Sequence, residues 1–131
     1  MNHGESTIAV LDDEPQMRKA LGRLLRTHGF NVVTYPLGSE MILAFQLVLP
    51  ACLLLDLHMP GMTGFEVLEI LKSKKWSVPV IVITGHDEPK NSERVLLLGA
   101  AAYLTKPIDE ETLLGALREA ISRSSSRDHT S

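Results

Sequence analysis

Four short stretches of this chain carry side chains that could do chemistry together. Asp12, Asp13 and Glu14 follow the apolar run TIAVL, and Asp56 follows Leu53, Leu54 and Leu55. Thr84 closes VPVIVIT, and Lys106, with Pro107 behind it, follows AAYLT. Carboxylates brought together repel and raise one another's pKa unless a cation joins them. Mg2+ suits such a group, being a hard ion that takes oxygen ligands, commonly one or two carboxylates with water and phosphate. Lys106 offers a compact positive charge for one phosphate oxygen, and Thr84 a hydroxyl for a second. A carboxylate left over can act as a nucleophile and accept a phosphoryl group. That transfer needs mainly alignment and neutralised charge, which this set of residues can supply.

Taken singly, each stretch also has a plainer reading. The acids before Pro15 could start a helix and complement its dipole. Asp56 could be a polar strand stop, Thr84-Gly85 a turn and Lys106-Pro107 a loop. The elements that carry them argue for convergence. Five segments rich in β-formers, 7–11, 30–35, 51–55, 78–84 and 101–105, alternate with segments of helical pattern. Several are continuously apolar, as expected of parallel strands covered on both faces. Met17, Ala20, Leu21, Leu24 and Leu25 mark one helical face before a stop at Gly29. Leu113, Leu114, Leu117, Ala120 and Ile121 mark another, opened by Asp109 as N-cap. This alternation predicts a (βα)5 unit, a doubly wound parallel sheet in a three-layer α/β sandwich. In such folds, functional groups collect beyond the carboxyl ends of the strands, where all four stretches lie.

The rest of the chain narrows the function classes. With 44% hydrophobic and 22% charged residues over 131 positions, it reads as one soluble globular domain. A net charge of -3 supplies no basic footprint for direct nucleic-acid binding. No apolar stretch approaches the roughly 20 residues that span a bilayer. The start, MNHGESTIAV, lacks the pattern of a signal peptide, so no membrane association and a cytoplasmic location are expected. The single cysteine, Cys52, sits in an apolar run and reads as a buried, inert thiol. His3, His28, His86 and His129 show no metal-ligand spacing and read as surface residues. The segment 39–50 is apolar on nearly every side, so part of it is expected to stay exposed or meet a partner. The expected bounds are an N-terminal tail at 1–6, a domain at 7–122, and a polar, Ser-rich disordered tail or interdomain linker at 123–131.

The stretches VLDDEP (10–15), LLLDLHMPGMTGFEVL (53–68), VIVITGHDE (80–88) and AAYLTKPID (101–109) together resemble the receiver domain of two-component response regulators. LHMPGMTG and TGHD are most similar to receivers that precede a helix-turn-helix output domain in bacterial transcription regulators. The resemblance implies the flavodoxin-like strand order 2-1-3-4-5 and a role for each matching residue. Asp56 matches the phosphoacceptor. Asp13, Asp56 and the backbone carbonyl of His58 match the Mg2+ ligands, with Asp12 acting through water. Thr84 matches the switch hydroxyl, Tyr103 the aromatic that turns inward with it, and Lys106 the phosphate-binding lysine. Lys106-Pro107 matches a peptide bond that is cis in the family. Pro60, Gly61 and Gly64 form the turn that shapes the pocket wall.

The resemblance implies a sensor histidine kinase as donor and a conformational switch as the response. The expected readout is a phosphorylation-dependent homodimer through the fourth helix, fifth strand and fifth helix, or control of a C-terminal DNA-binding domain outside these residues. Such a domain is a signalling phosphoacceptor with only limited self-phosphorylation and autodephosphorylation, not an enzyme in the ordinary sense. Two other classes fit these residues less well. A Mg2+-dependent aspartyl-phosphate hydrolase usually wants a second acid two residues after the nucleophile, where this chain has His58. A phosphorylation-independent interaction module on the same fold would not require Asp12, Asp13, Asp56, Thr84 and Lys106 all to be present.

Overall fold

The computed structural model describes residues 7–130, with side chains through Ser124. The tail expected at 1–6, with His3, lies outside the described residues, as do Ser131 and the side chain of His129. Strands β1 (Thr7–Leu11), β2 (Asn31–Tyr35), β3 (Cys52–Asp56), β4 (Val80–Thr84) and β5 (Ala102–Thr105) alternate with five helices. These are α1 (Pro15–Thr27), α2 (Gly38–Phe45), α3 (Gly64–Ser73), α4 (Asn91–Leu97) and α5 (Glu110–Thr130). All strand pairs are parallel, in the order β2-β1-β3-β4-β5. The doubly wound, flavodoxin-like sandwich expected from the sequence is therefore the observed fold.

Alternation along the strands builds two cores. Ala9, Leu11, Leu53, Leu55, Val80 and Val82 face Met41, Phe45, Val67, Leu68, Leu71 and Val95 on α2, α3 and α4. Ile8, Val10, Cys52, Leu54, Ile81 and Ile83 face Leu21 and Leu25 of α1 and Leu113, Leu114 and Leu117 of α5. With both faces covered, β3 and β4 are buried along their whole length, which explains their unbroken apolar runs. Cys52 is buried and its thiol pKa is pushed up to about 12 by that burial, so it stays protonated and inert.

Several boundaries differ from expectation. β3 incorporates Asp56 as its last residue. α2 stops at Phe45, leaving Leu43, Leu47 and Val48 at 65%, 89% and 75% exposure, so the 39–50 segment does expose apolar surface. α5 runs on to Thr130, through the stretch where a tail or linker was expected from residue 123. An exposed i,i+4 ion pair joins Arg123 to Glu119 at 2.9 Å where that stretch begins, and serine costs a helix only about a few tenths of a kcal/mol per residue.

The turn after β3 depends on two glycines. Gly61 has φ +85°, a left-handed conformation that side chains disfavour. At Gly64 a Cβ would stand 2.8 Å from the Leu57 Cα and 3.0 Å from the Asp56 carbonyl oxygen. The close approach is locked by the Gly64 N–H donating to the Leu57 carbonyl at 2.9 Å. Thr63 completes a capping box with Glu66, at 3.2 Å and 2.8 Å. Gly64→Ala should therefore push α3 off the end of β3 and cost about 1–3 kcal/mol, read as a fall in the denaturant midpoint with an unchanged m-value. A stability equal to wild type would show that the turn can yield.

Candidate functional site

Strand register brings the four chemical stretches to one edge of the sheet. Leu11 pairs with Leu55, Asp56 with Ile83, and Thr84 with Thr105. The residues that follow β1 and β5 therefore flank the ends of β3 and β4. The Lys106 N–H donates to the Thr84 carbonyl at 2.8 Å, and the Leu57 N–H to the Ile83 carbonyl at 3.1 Å, tying these ends together.

At that edge, carboxylate oxygens of Asp12, Asp13 and Asp56 lie within 4.8 Å of one another. Asp12 and Asp56 are 2% and 6% exposed, while Asp13 is more open. The plainer reading of the acids as a helix cap does not hold here. Pro15 opens α1, and Glu14 at the N-cap makes no side-chain cap bond. The Asp12 carboxylate accepts the Glu14 N–H at 2.9 Å, and its backbone carbonyl accepts Arg18 Nη1 at 2.7 Å. Lys106 Nζ reaches Asp12 Oδ2 and Glu14 Oε1, both at 3.4 Å. The Lys106-Pro107 bond is cis, as expected.

The charges at this edge do not balance around Asp56. Burial and the neighbouring Asp12 charge push its pKa up to about 7, with a further upward contribution from a hydrogen bond to Asp13. The Lys106 charge and the His58 N–H, which donates to Asp56 Oδ1 at 3.3 Å, oppose the shift without cancelling it. For Lys106, burial favours the neutral amine, but the charges of Asp12, Asp56 and Glu14 outweigh it and raise its pKa. Three close oxygen acids with a deficit of positive charge fit a hard divalent cation such as Mg2+, which would relieve their mutual repulsion.

The remaining expected residues surround this pocket differently. Thr84 is fully buried, and its hydroxyl is engaged locally, accepting from the His86 N–H at 3.0 Å and donating to the His86 carbonyl at 3.1 Å. Tyr103 is only partly buried and donates its hydroxyl to Asp87 Oδ1 at 2.9 Å. The His58 imidazole stands edge-to-face with His86, ring centroids 5.5 Å apart. Pro60, Gly61 and Met62 line an adjoining cavity of about 360 Å3 with Leu37 and Gly38 of the β2–α2 connection. Asp109 caps α5 as expected, accepting the Thr112 N–H at 2.9 Å. Of the partners, Arg18 and Asp87 were not singled out by sequence, and Glu14 and His86 were named without the contacts they make. No local pattern marks them, because their positions follow from which strands are neighbours.

Comparison with known proteins places this geometry in a family. The chain matches the family described as response regulator receiver domain over residues 8–118. It is 35% identical over 121 residues to the response regulator protein TodT of Pseudomonas putida, covering 92% of this chain and 53% of that protein. It is 32% identical over 117 residues to the transcriptional regulatory protein FixJ of Azorhizobium caulinodans, covering 89% and 56%. The chain thus spans about half the length of the curated relatives it matches. Among solved structures, the crystal structure of FixJ-N aligns with a TM-score of 0.85 at 30% identity, covering 93% of this chain and 96% of that one. Among the described residues, no helix is long and apolar enough to cross a membrane.

Proposed function

The chain belongs to the response regulator receiver domain family, and on that premise we propose that Asp56 accepts a phosphoryl group from a phosphohistidine of a sensor kinase. The observation that carries the proposal is the meeting of three carboxylates with Lys106 at one sheet edge. An Asp56 oxygen attacks phosphorus as the bond from phosphorus to the imidazole nitrogen breaks, and the imidazole leaves with the electron pair. Buried at the end of β3, Asp56 loses little orientational freedom on reaction. Lys106 moves its ammonium from Asp12 toward the oxygens of the incoming group. Asp13, Asp56 and the His58 carbonyl are the residues to hold Mg2+ directly, with Asp12 acting through water. Bound there, Mg2+ supplies neutralisation of the charge on the phosphoryl oxygens.

The aspartyl phosphate adds roughly 1.5–2 negative charges. Thr84 then turns its hydroxyl from His86 to a phosphoryl oxygen, and Tyr103 moves into the space released. The surface of α4, β5 and α5 changes with it, and we assign to that surface phosphorylation-dependent dimerisation or release of a DNA-binding output domain. The relative named transcriptional regulatory protein supports that output, and a cytoplasmic site of action agrees with it.

The test is mass spectrometry after incubation with Mg2+ and a small phosphodonor. A single phosphoryl increment mapping to Asp56, and absent from Asp56→Asn, is the expected result. No increment would favour an interaction module, and multiple turnover of phosphate esters a hydrolase. Mg2+ affinity, measured by calorimetry, should also depend on pH. Asp56 must lose its proton to bind the ion, so affinity should fall about tenfold per pH unit below pH 7 and level off above it. A flat profile between pH 5 and about 7 would remove Asp56 from the ligand set.

A further inference from the structure

We propose that Asp87 is a positioning residue that latches Tyr103 beside the β4–α4 loop and so sets how readily the domain switches. The inference rests on Asp56 being the phosphoacceptor, and it adds a residue that the phosphoryl site does not touch. Thr84 and Tyr103 lie on the same face of neighbouring strands, since Val82 pairs with Tyr103 and Thr84 with Thr105. That face packs against α4, with Tyr103 lying against the same core as Val95. The Tyr103 hydroxyl donates to the Asp87 carboxylate at 2.9 Å, a charge-assisted bond and therefore a strong one of its kind.

The same loop holds the other end of the switch. The Thr84 hydroxyl makes both of its hydrogen bonds to the backbone of His86, the residue before Asp87. Moving that hydroxyl toward Asp56 breaks both bonds and frees the loop segment that carries the latch. Thr84 and Tyr103 are thus joined through His86 and Asp87 as well as through the space between them.

Two further features mark the segment that carries the latch. Asn91, 8% exposed, stands beside the Tyr103 hydroxyl, yet its amide nitrogen makes no well-formed hydrogen bond. Lys90, between Asp87 and Asn91, has φ +71°, a left-handed backbone that a lysine adopts only when its surroundings hold it there. Loss of the latch shifts the population of Tyr103 before any phosphoryl group arrives.

The test uses Asp87→Ala, Asp87→Asn, Tyr103→Phe and the Asp87→Ala/Tyr103→Phe pair. Tyr103 and Tyr35 are the two tyrosines, so a tyrosine-labelled sample shows Tyr103 by NMR with Tyr35 as internal control. Without phosphodonor, Asp87→Ala should move the Tyr103 ring resonances and leave Tyr35 in place. The rate of Asp56 phosphorylation by a small donor should rise roughly five- to tenfold in Asp87→Ala and in Tyr103→Phe, with no further rise in the double variant. Asp87→Asn, which keeps an acceptor, should fall between wild type and Asp87→Ala. An unmoved Tyr103 resonance in Asp87→Ala, or single effects that multiply in the double variant, overturns the latch. If the wild-type protein takes up no phosphoryl group, the phosphoacceptor reading fails, and the NMR arm still decides the latch.

Discussion

In Mg2+-free buffer at pH 8, Asp56→Asn should unfold about 5 °C above wild type, a gain on the order of 1–2 kcal/mol, while losing all phosphoryl uptake. The two effects have one cause. Asp56 is held in a buried site beside Asp12, which raises its pKa to about 7 from the ordinary carboxylate value near 4. The folded state therefore binds this proton more tightly than the unfolded chain does. For this group, stability falls as pH rises from about 4 to about 7, and the full cost is present above that window. An asparagine accepts the His58 N–H as the aspartate does, and its NH2 can donate to Asp12 or Asp13 without adding charge. The gain should shrink as pH is lowered and vanish near about pH 3, below both pKa values, where the wild-type carboxyl is protonated in both states. Thermal scans of both proteins from about pH 3 to 8 read the difference directly. A variant equal to or less stable than wild type at pH 8 would mean that Lys106 already balances the acids. Saturating Mg2+ should reverse the ranking, since the ion stabilises the acidic site of wild type more than that of the variant.

Lys106→Met should slow phosphorylation of Asp56 by about a hundredfold, with the protein still folded. Lys106 is a half-buried cation within 3.4 Å of both Asp12 and Glu14, and its charge lowers the Asp56 pKa. Methionine keeps the stem and removes that charge. The loss has two parts. The incoming phosphoryl oxygens lose their protein counter-charge, and Asp56 is protonated to a higher pH, so less nucleophile is present at neutrality. The second part can be separated, because raising the pH should restore it and leave the first intact. Arginine should rescue poorly, since a planar fork does not replace a compact ammonium in a site of this size. Single-turnover rates against donor concentration are the measurement, and a Lys106→Met rate within about twofold of wild type would remove the lysine from the chemistry.

Much of this site was legible along the chain, and the reason is covalent continuity. A parallel strand covered on both faces must be apolar throughout, so an acid, a hydroxyl or a lysine at its end stands out in the sequence. Asp56 after three leucines and Thr84 at the close of VPVIVIT are read that way. The parts that were not legible are pairwise. Lys106 with Glu14 and Tyr103 with Asp87 join residues whose neighbourhood is set by strand order, β1 beside β3 and β4 beside β5. The extent of α5 was not legible either. Low complexity and serine content suggested a tail or linker from residue 123, and serine is only weakly unfavourable in a helix, so composition does not fix where α5 ends.

The sequence alone determined the strand and helix alternation, the two-faced core and the inventory of chemical side chains at one sheet edge, because each depends on periodicity and residue type. The tertiary structure decided the electrostatic state of that inventory. Only in the folded sheet do Asp12, Asp13 and Asp56 come within 4.8 Å, so that burial and like charge lift the Asp56 pKa to about 7. Coulomb energy and desolvation depend on distances and exposure through space, and neither is written in the order of residues along a chain.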